Sequence, residues 1–213
     1  GDLVRRDLCF EAMRLASLLL EHPRTSLPKV HAVAALFMFQ AARLPARADS
    51  QGDLLLLADQ DRSLWDKRML AAGLDHFRRS ATGSEFTEYH VEAEIASLHA
   101  LAPDFESTDW ERILTCYDLL QARKFSPIVE LNRIVAVGNL RGAADALGEL
   151  RRLADNYLMT SFNLFHVTCG HFYAEAGDEL SAKRSYCRAV ELTRNESVRR
   201  FLCRKIEMLT SST

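Results

Sequence analysis

The side chains that could do chemistry are concentrated in one short run. Asp59, Gln60, Asp61 and Arg62 are consecutive, and Trp65 and Asp66 follow closely. Two carboxylates, an amide and a guanidinium this close together could hold a ligand or a partner, or could pin a loop through an internal hydrogen-bond network. Asp61 or Ser63 is placed to cap a following helix. Arg43 and Arg47 are near enough in sequence to pair with the carboxylates. A catalytic or small-molecule-sensing site here would need a deep polar pocket with perturbed carboxylates.

No other cluster competes with this run. Seven histidines are present, and His90 stands four residues before Glu94 and nine before His99. His166 and His171 are five apart, which does not place both on one helical face. HExxH, GxSxG, P-loop and GxGxxG patterns are all missing from the chain. The expectation is a protein that is not an enzyme and holds neither metal nor cofactor. Cysteines at 9, 116, 169, 187 and 203 are odd in number and form no CxxC pair. They are expected to be five buried, reduced thiols.

The elements that must position the run read as helices. Gly and Pro together number 14 of 213 residues, too few for a many-turned β fold. Asp7–Glu21 carries Leu8, Ala12, Leu15 and Leu19 at helical spacing. Val30–Ala42 is apolar nearly all round and should be central in a core. From Arg43 to Asp61 the pattern breaks, with Pro45, Gly52 and four consecutive leucines fenced by Asp53, which predicts a long non-helical loop near residues 44–61. Helices are expected over Ser63–Arg79, with Trp65 facing inward, and over Glu85–Leu101. The next begins at a Thr108–Glu111 capping box, and another runs from Ser126-Pro127 to near Gly142.

The last third repeats. Measured from Asn163, the residues Gly170, Tyr173, Gly177, Ala182, Tyr186 and Ala189 fall at offsets resembling a tetratricopeptide unit. Gly142 and Gly177 lie 35 apart, and Ser197–Leu209 would cap the stack. The fold class is therefore all-α, a right-handed stack of antiparallel helix pairs. Residues 1–125 form an N-terminal helical part, and 126–213 form the repeats and cap, within one continuous domain.

Charge narrows the function. Net charge is -2 and the pI is about 6.4, unlike a nucleic-acid-binding domain. Eight acidic residues and no Lys or Arg lie between Glu85 and Glu111, while Lys183 to Lys205 is strongly basic. Such patches either are solvated faces or steer protein partners. The longest apolar run, Ala32–Phe39, is too short to cross a membrane. The charged start from Asp2 to Asp7 is unlike a signal peptide, so a cytoplasmic location is expected.

Several strings together resemble a known family. They are Arg6-Asp7-Leu8-Cys9, Asp59-Gln60-Asp61-Arg62 with Trp65-Asp66, Asp109-Trp110, Ser126-Pro127-Ile128-Val129 with Leu131-Asn132-Arg133, and Asn195-Glu196 with Arg199-Arg200-Phe201-Leu202. In this order they resemble the C-terminal tetratricopeptide-like extension of a group of extracytoplasmic-function RNA polymerase sigma factors. The resemblance implies a full-length bacterial protein that directs core RNA polymerase to promoters through upstream sigma modules outside this chain. It implies a regulatory or scaffolding role for these residues, with contacts to core polymerase and the sigma modules rather than to DNA. Asp59, Gln60, Asp61, Arg62, Trp65, Asp66, Asn132 and Arg133 are the implied contact or structural-network residues. A free-standing peptide-binding adaptor, or a sensor using the Asp59–Asp66 loop, is the alternative. Oligomeric state is left open.

Overall fold

A computed structural model describes residues 5–123 and 126–211. The described residues form α-helices, three 3-10 turns and no β-strand. The helices are α1 (Arg6–Glu21), α2 (Pro28–Ala42), α3 (Lys67–Ser80), α4 (Glu88–Leu101), α5 (Trp110–Arg123), α6 (Pro127–Arg141), α7 (Ala143–Leu153), α8 (Tyr157–Thr160), α9 (Asn163–Glu175), α10 (Glu179–Leu192) and α11 (Glu196–Ser211). The all-α class predicted from helical periodicity is the class observed.

The chain forms two compact units. One contains α1–α4 and runs to residue 109; the other runs from residue 110 onward and also takes residues 52–54. In the first unit α2 packs against α1, α3 and α4. Ala32, Ala34, Ala35 and Phe39 of α2 are buried, as a helix apolar all round requires. Pro28 opens this helix, where its missing N–H costs nothing. By contrast α1 buries only Ala16 among its described residues.

In the second unit α5 pairs with α6, α6 with α7, α9 with α10, and α10 with α11. Gly142 and Gly177 have φ of +97° and +77°, and these turns reverse the chain between α6 and α7 and between α9 and α10. Helix pairs approach closely where glycine faces an aromatic ring. A Cβ on Gly170 would come within 2.6 Å of the Tyr186 ring, and one on Gly138 would overlap Phe172. The small-against-large spacing read from the repeat thus has a packing cause.

Several local expectations are corrected. The non-helical stretch extends to Asp66, so α3 begins at Lys67 and Trp65 lies in the loop before it. Asp66, not Asp61 or Ser63, caps α3; its Oδ1 accepts from the N–H groups of Arg68 and Met69. Helix α5 starts at Trp110, and the Thr108 hydroxyl donates to the carbonyl of Asp104. Cysteine burial is mixed: Cys116 and Cys169 are buried, whereas Cys187 and Cys203 are exposed.

Candidate functional site

The loop between α2 and α3 contains the 3-10 turns Leu44–Ala46, Leu57–Asp59 and Arg62–Leu64. Trp65 anchors it. Its indole is buried and packs with Ala35, Phe39, Ala46, Ala93, Ala96 and Ala100. The guanidinium carbons of Arg43 and Arg62 lie 5.5 and 4.6 Å from the ring centroid. Both are within cation–π range.

Arg62 connects this loop to the end of α4. Its Nη1 donates to the carbonyls of His99 and Ala102, both at 2.8 Å. Those carbonyls sit at the helix C-terminus, where intrahelical donors run out and a cation is favoured by the dipole. Buried Gln60 donates to the Leu55 carbonyl at 3.2 Å and accepts from Arg43 at 3.4 Å. The Asp66 N–H donates to Ala42 at 2.9 Å, closing the loop's end onto the end of α2. The expected pairing of Arg43 with Asp59 or Asp61 is replaced by this Gln60 bond and by stacking on Trp65.

The run therefore divides by role. Gln60, Arg62, Trp65 and Asp66 shape the loop. Asp61 accepts from the Ser63 N–H at 2.8 Å, and the Ser63 hydroxyl first, then this N–H, hold its carboxyl below the usual range. Asp59, Asp61, Ser63 and Leu64 are exposed on the loop. This is a rigid display of two carboxylates beside an apolar side chain rather than a convergent acid–base pair.

Burial and positive neighbours set the titration here. Burial chiefly, then the charges of Arg47 and Arg62, lower Arg43 to about 10. Burial, then Arg43 and Arg62, lower His99 to about 4. His31 of α2 and His76 of α3 face each other with Nδ1 atoms 2.8 Å apart, a spacing that admits one proton between them. Burial is the largest cause lowering both, and Arg79 adds to it against Asp75. Each of these histidines titrates lower when folded than unfolded. The unfolded chain therefore takes up protons first as pH falls. Stability of this unit should be full above about pH 6.5 and decline toward pH 4, with His99 alone contributing about 3 kcal/mol. Urea unfolding of wild type and His99→Gln between pH 7 and 4 checks this; the variant should show the shallower decline.

In the second unit Arg133 is a hub. Its Nε donates to Asp118 at 2.6 Å and its Nη1 to Glu149 at 2.6 Å, with Glu130 at 3.6 Å. It thereby joins α5, α6 and α7. Asn132 is half-buried on α6 between buried Leu131 and half-buried Arg133. The two units hold the implied residues as two separate sets. Arg133→Ala should cost about 2 kcal/mol by leaving carboxylates without their donor, and Arg133→Lys should recover part of it. Urea unfolding of the two variants measures both.

Sequence reasoning missed one constellation. Asp53 is buried, 2% exposed, and accepts from Arg200 Nε at 2.5 Å and from Arg204 Nη1. The two arginines stand four apart on α11, and that spacing was the available signal. Hydrogen bonds from Arg204 and Arg200 hold the Asp53 carboxyl below its usual range. Part of the basic C-terminal patch is thus neutralised internally. Asn195, in one of the quoted strings, caps α11 by accepting from Ser197 and Val198 at 3.0 and 3.1 Å.

Comparison with known proteins adds three findings. Residues 1–81 match a family described as "Family of unknown function (DUF6596)". The chain is similar to "Uncharacterized protein R00370" of Rhizobium meliloti (strain 1021), with 33% identity over 208 residues, which cover 98% of this chain and 48% of that protein. The chain thus spans about half the length of that curated relative. No solved structure matches this chain. No helix among the described residues is long and apolar enough to cross a membrane.

Proposed function

We propose that this chain is a protein-contact module of a longer bacterial, cytoplasmic transcription-initiation protein, the regulatory C-terminal extension of an extracytoplasmic-function sigma factor. The observation that carries the reading is the construction of the Asp59–Asp66 loop. Its buried and half-buried members are committed to rigidity through Trp65, Gln60 and Arg62, and its exposed members include Asp59, Asp61 and Leu64. A pre-ordered surface loses little entropy on association, which suits a contact site. The resemblance of the quoted strings supplies the partners, the sigma modules and core RNA polymerase. The half of the relative beyond the matched region is consistent with further modules.

The mechanism offered is competition. Acidic side chains of this module would meet basic surfaces on the sigma modules that otherwise face DNA or polymerase. Such contacts act mainly on association and specificity and weaken with salt. The test is titration of the sigma modules with the 213-residue chain by fluorescence anisotropy at two ionic strengths. Saturable binding that falls with salt and with Asp59→Lys is expected. Absence of binding, or binding indifferent to both, overturns the reading.

A further inference from the structure

The first unit has an apolar groove away from the loop network. Ala12, Leu15 and Leu19 of α1, Val33 and Phe37 of α2 and Tyr89 of α4 line it, around about 340 Å³. Leu8, Leu15, Leu18 and Leu19 of α1 remain about half exposed. Continuous apolar surface of this kind marks an interaction site more often than scattered exposed leucines do.

The charges around the groove are asymmetric. Lys29 at its edge is paired with Glu85 at 3.0 Å. Arg14 is paired with Glu11 and Arg5 with Asp7, each at 2.7 Å. The basic side chain that lines the groove, Lys29, is thus already matched. Glu88 and Glu92 flank Tyr89 on α4, and neither forms an ion pair among the described residues. Glu92 is half-buried beside Glu88, and burial first, then that like charge, raises its pKa. An incoming cation would offset both effects by favouring the charged carboxylates.

We propose that this groove receives an amphipathic helix of a partner protein, with its apolar face on Leu15, Leu19 and Phe37 and a Lys or Arg opposite Glu88 and Glu92. Helix-in-groove recognition needs an apolar stripe and a matched flank, and both are present. A second copy of this chain is the competing occupant, and the sedimentation measurement below separates it from a partner helix. An anionic lipid surface would be repelled by Glu88 and Glu92. The inference concerns a surface separate from the Asp59–Asp66 loop and stands whether or not the transcription reading holds.

The test uses the full 213-residue chain and a fluorescein-labelled synthetic Leu/Lys amphipathic helix of about four turns. A Leu/Glu peptide with the same apolar stripe is the comparison. The Leu/Lys peptide should bind one-to-one and more weakly as salt rises. Leu15→Glu with Leu19→Glu should weaken it by at least about tenfold, and these positions are exposed enough to change without unfolding the chain. Glu88→Lys with Glu92→Lys should reverse the preference toward the Leu/Glu peptide. Equal binding of both peptides, or binding unmoved by the leucine changes, overturns the proposal. So does a dimer in sedimentation that Leu15→Glu dissolves, or equal partition onto neutral and anionic phospholipid vesicles.

Discussion

Replacing Trp65 by Ala is expected to destabilise the first unit by about 4 kcal/mol, the middle of the range for a buried aromatic truncated to Ala. The indole is 3% exposed and touches residues of α2 and α4 as well as the loop's own Ala46. Its removal leaves a cavity and also strips Arg43 and Arg62 of the ring they cover. Trp65→Phe should cost much less. It keeps most of the apolar volume and removes an indole N–H that is buried with no acceptor among the described residues. Arg62→Ala should cost less in the Trp65→Ala background than in wild type, by about 1 kcal/mol, because the two share the stacking contact. Urea unfolding, with hydrogen exchange of α2 and α4 peptides to locate the loss, measures the four variants against wild type. A loss under about 1 kcal/mol for Trp65→Ala would mean that the loop is not built on the indole.

The second large effect is expected at Gly138. Helix propensity alone says that a side chain there stabilises α6 by up to about 1 kcal/mol. Packing says the opposite. A Cβ would overlap the Phe172 ring and lie 3.2 Å from the Ala146 Cβ, and Phe172 is 1% exposed with nowhere to turn. Overpacking of this kind costs about 1–3 kcal/mol and exceeds the propensity gain. Gly138→Val should therefore lose about 3 kcal/mol, since a β-branched side chain adds further bulk against the ring. Gly148, in α7, is the control, because a Cβ there meets nothing within 4 Å. Gly148→Ala should gain up to about 1 kcal/mol. Thermal unfolding of the two variants gives opposite signs if packing governs Gly138. Gains in both would show that α6 and α9 are looser than the Gly138–Phe172 contact implies.

These two cases show which parts of the molecule could be read from its sequence. Helical periodicity places α2, α6, α9 and α10 well, because each buries a stripe that repeats at the helical period. The turn at Gly142 and the seat at Gly170 follow from the repeat offsets, since glycine there answers a backbone or packing need. The loop was legible as a loop from 43 to 61, but neither its extension to Asp66 nor its wiring was. Trp65 was expected on a helix face, because an aromatic at helical spacing looks the same whether it belongs to α3 or precedes it. Arg43 was expected to seek carboxylates; burial and the indole won instead. Arg62 reaches carbonyls 37 and 40 residues away in sequence, and no local pattern encodes such a distance. The Asp53–Arg200–Arg204 cluster was missed for the same reason, with partners about 150 residues apart. The apolar face of α1 was legible as a pattern, yet the pattern cannot distinguish a face turned inward from one left for a partner.

The most direct test of the central claim is promoter-specific transcription by core RNA polymerase with the complete protein carrying Asp59→Lys and Leu64→Lys. Both side chains are exposed on the loop, so the change should leave stability within about 0.5 kcal/mol of wild type. If the loop is a contact surface of a sigma factor, transcription should change by about tenfold or more while the melting temperature holds. Unchanged transcription in a folded variant would contradict the account, leaving the Asp59–Asp66 run as a structural brace alone.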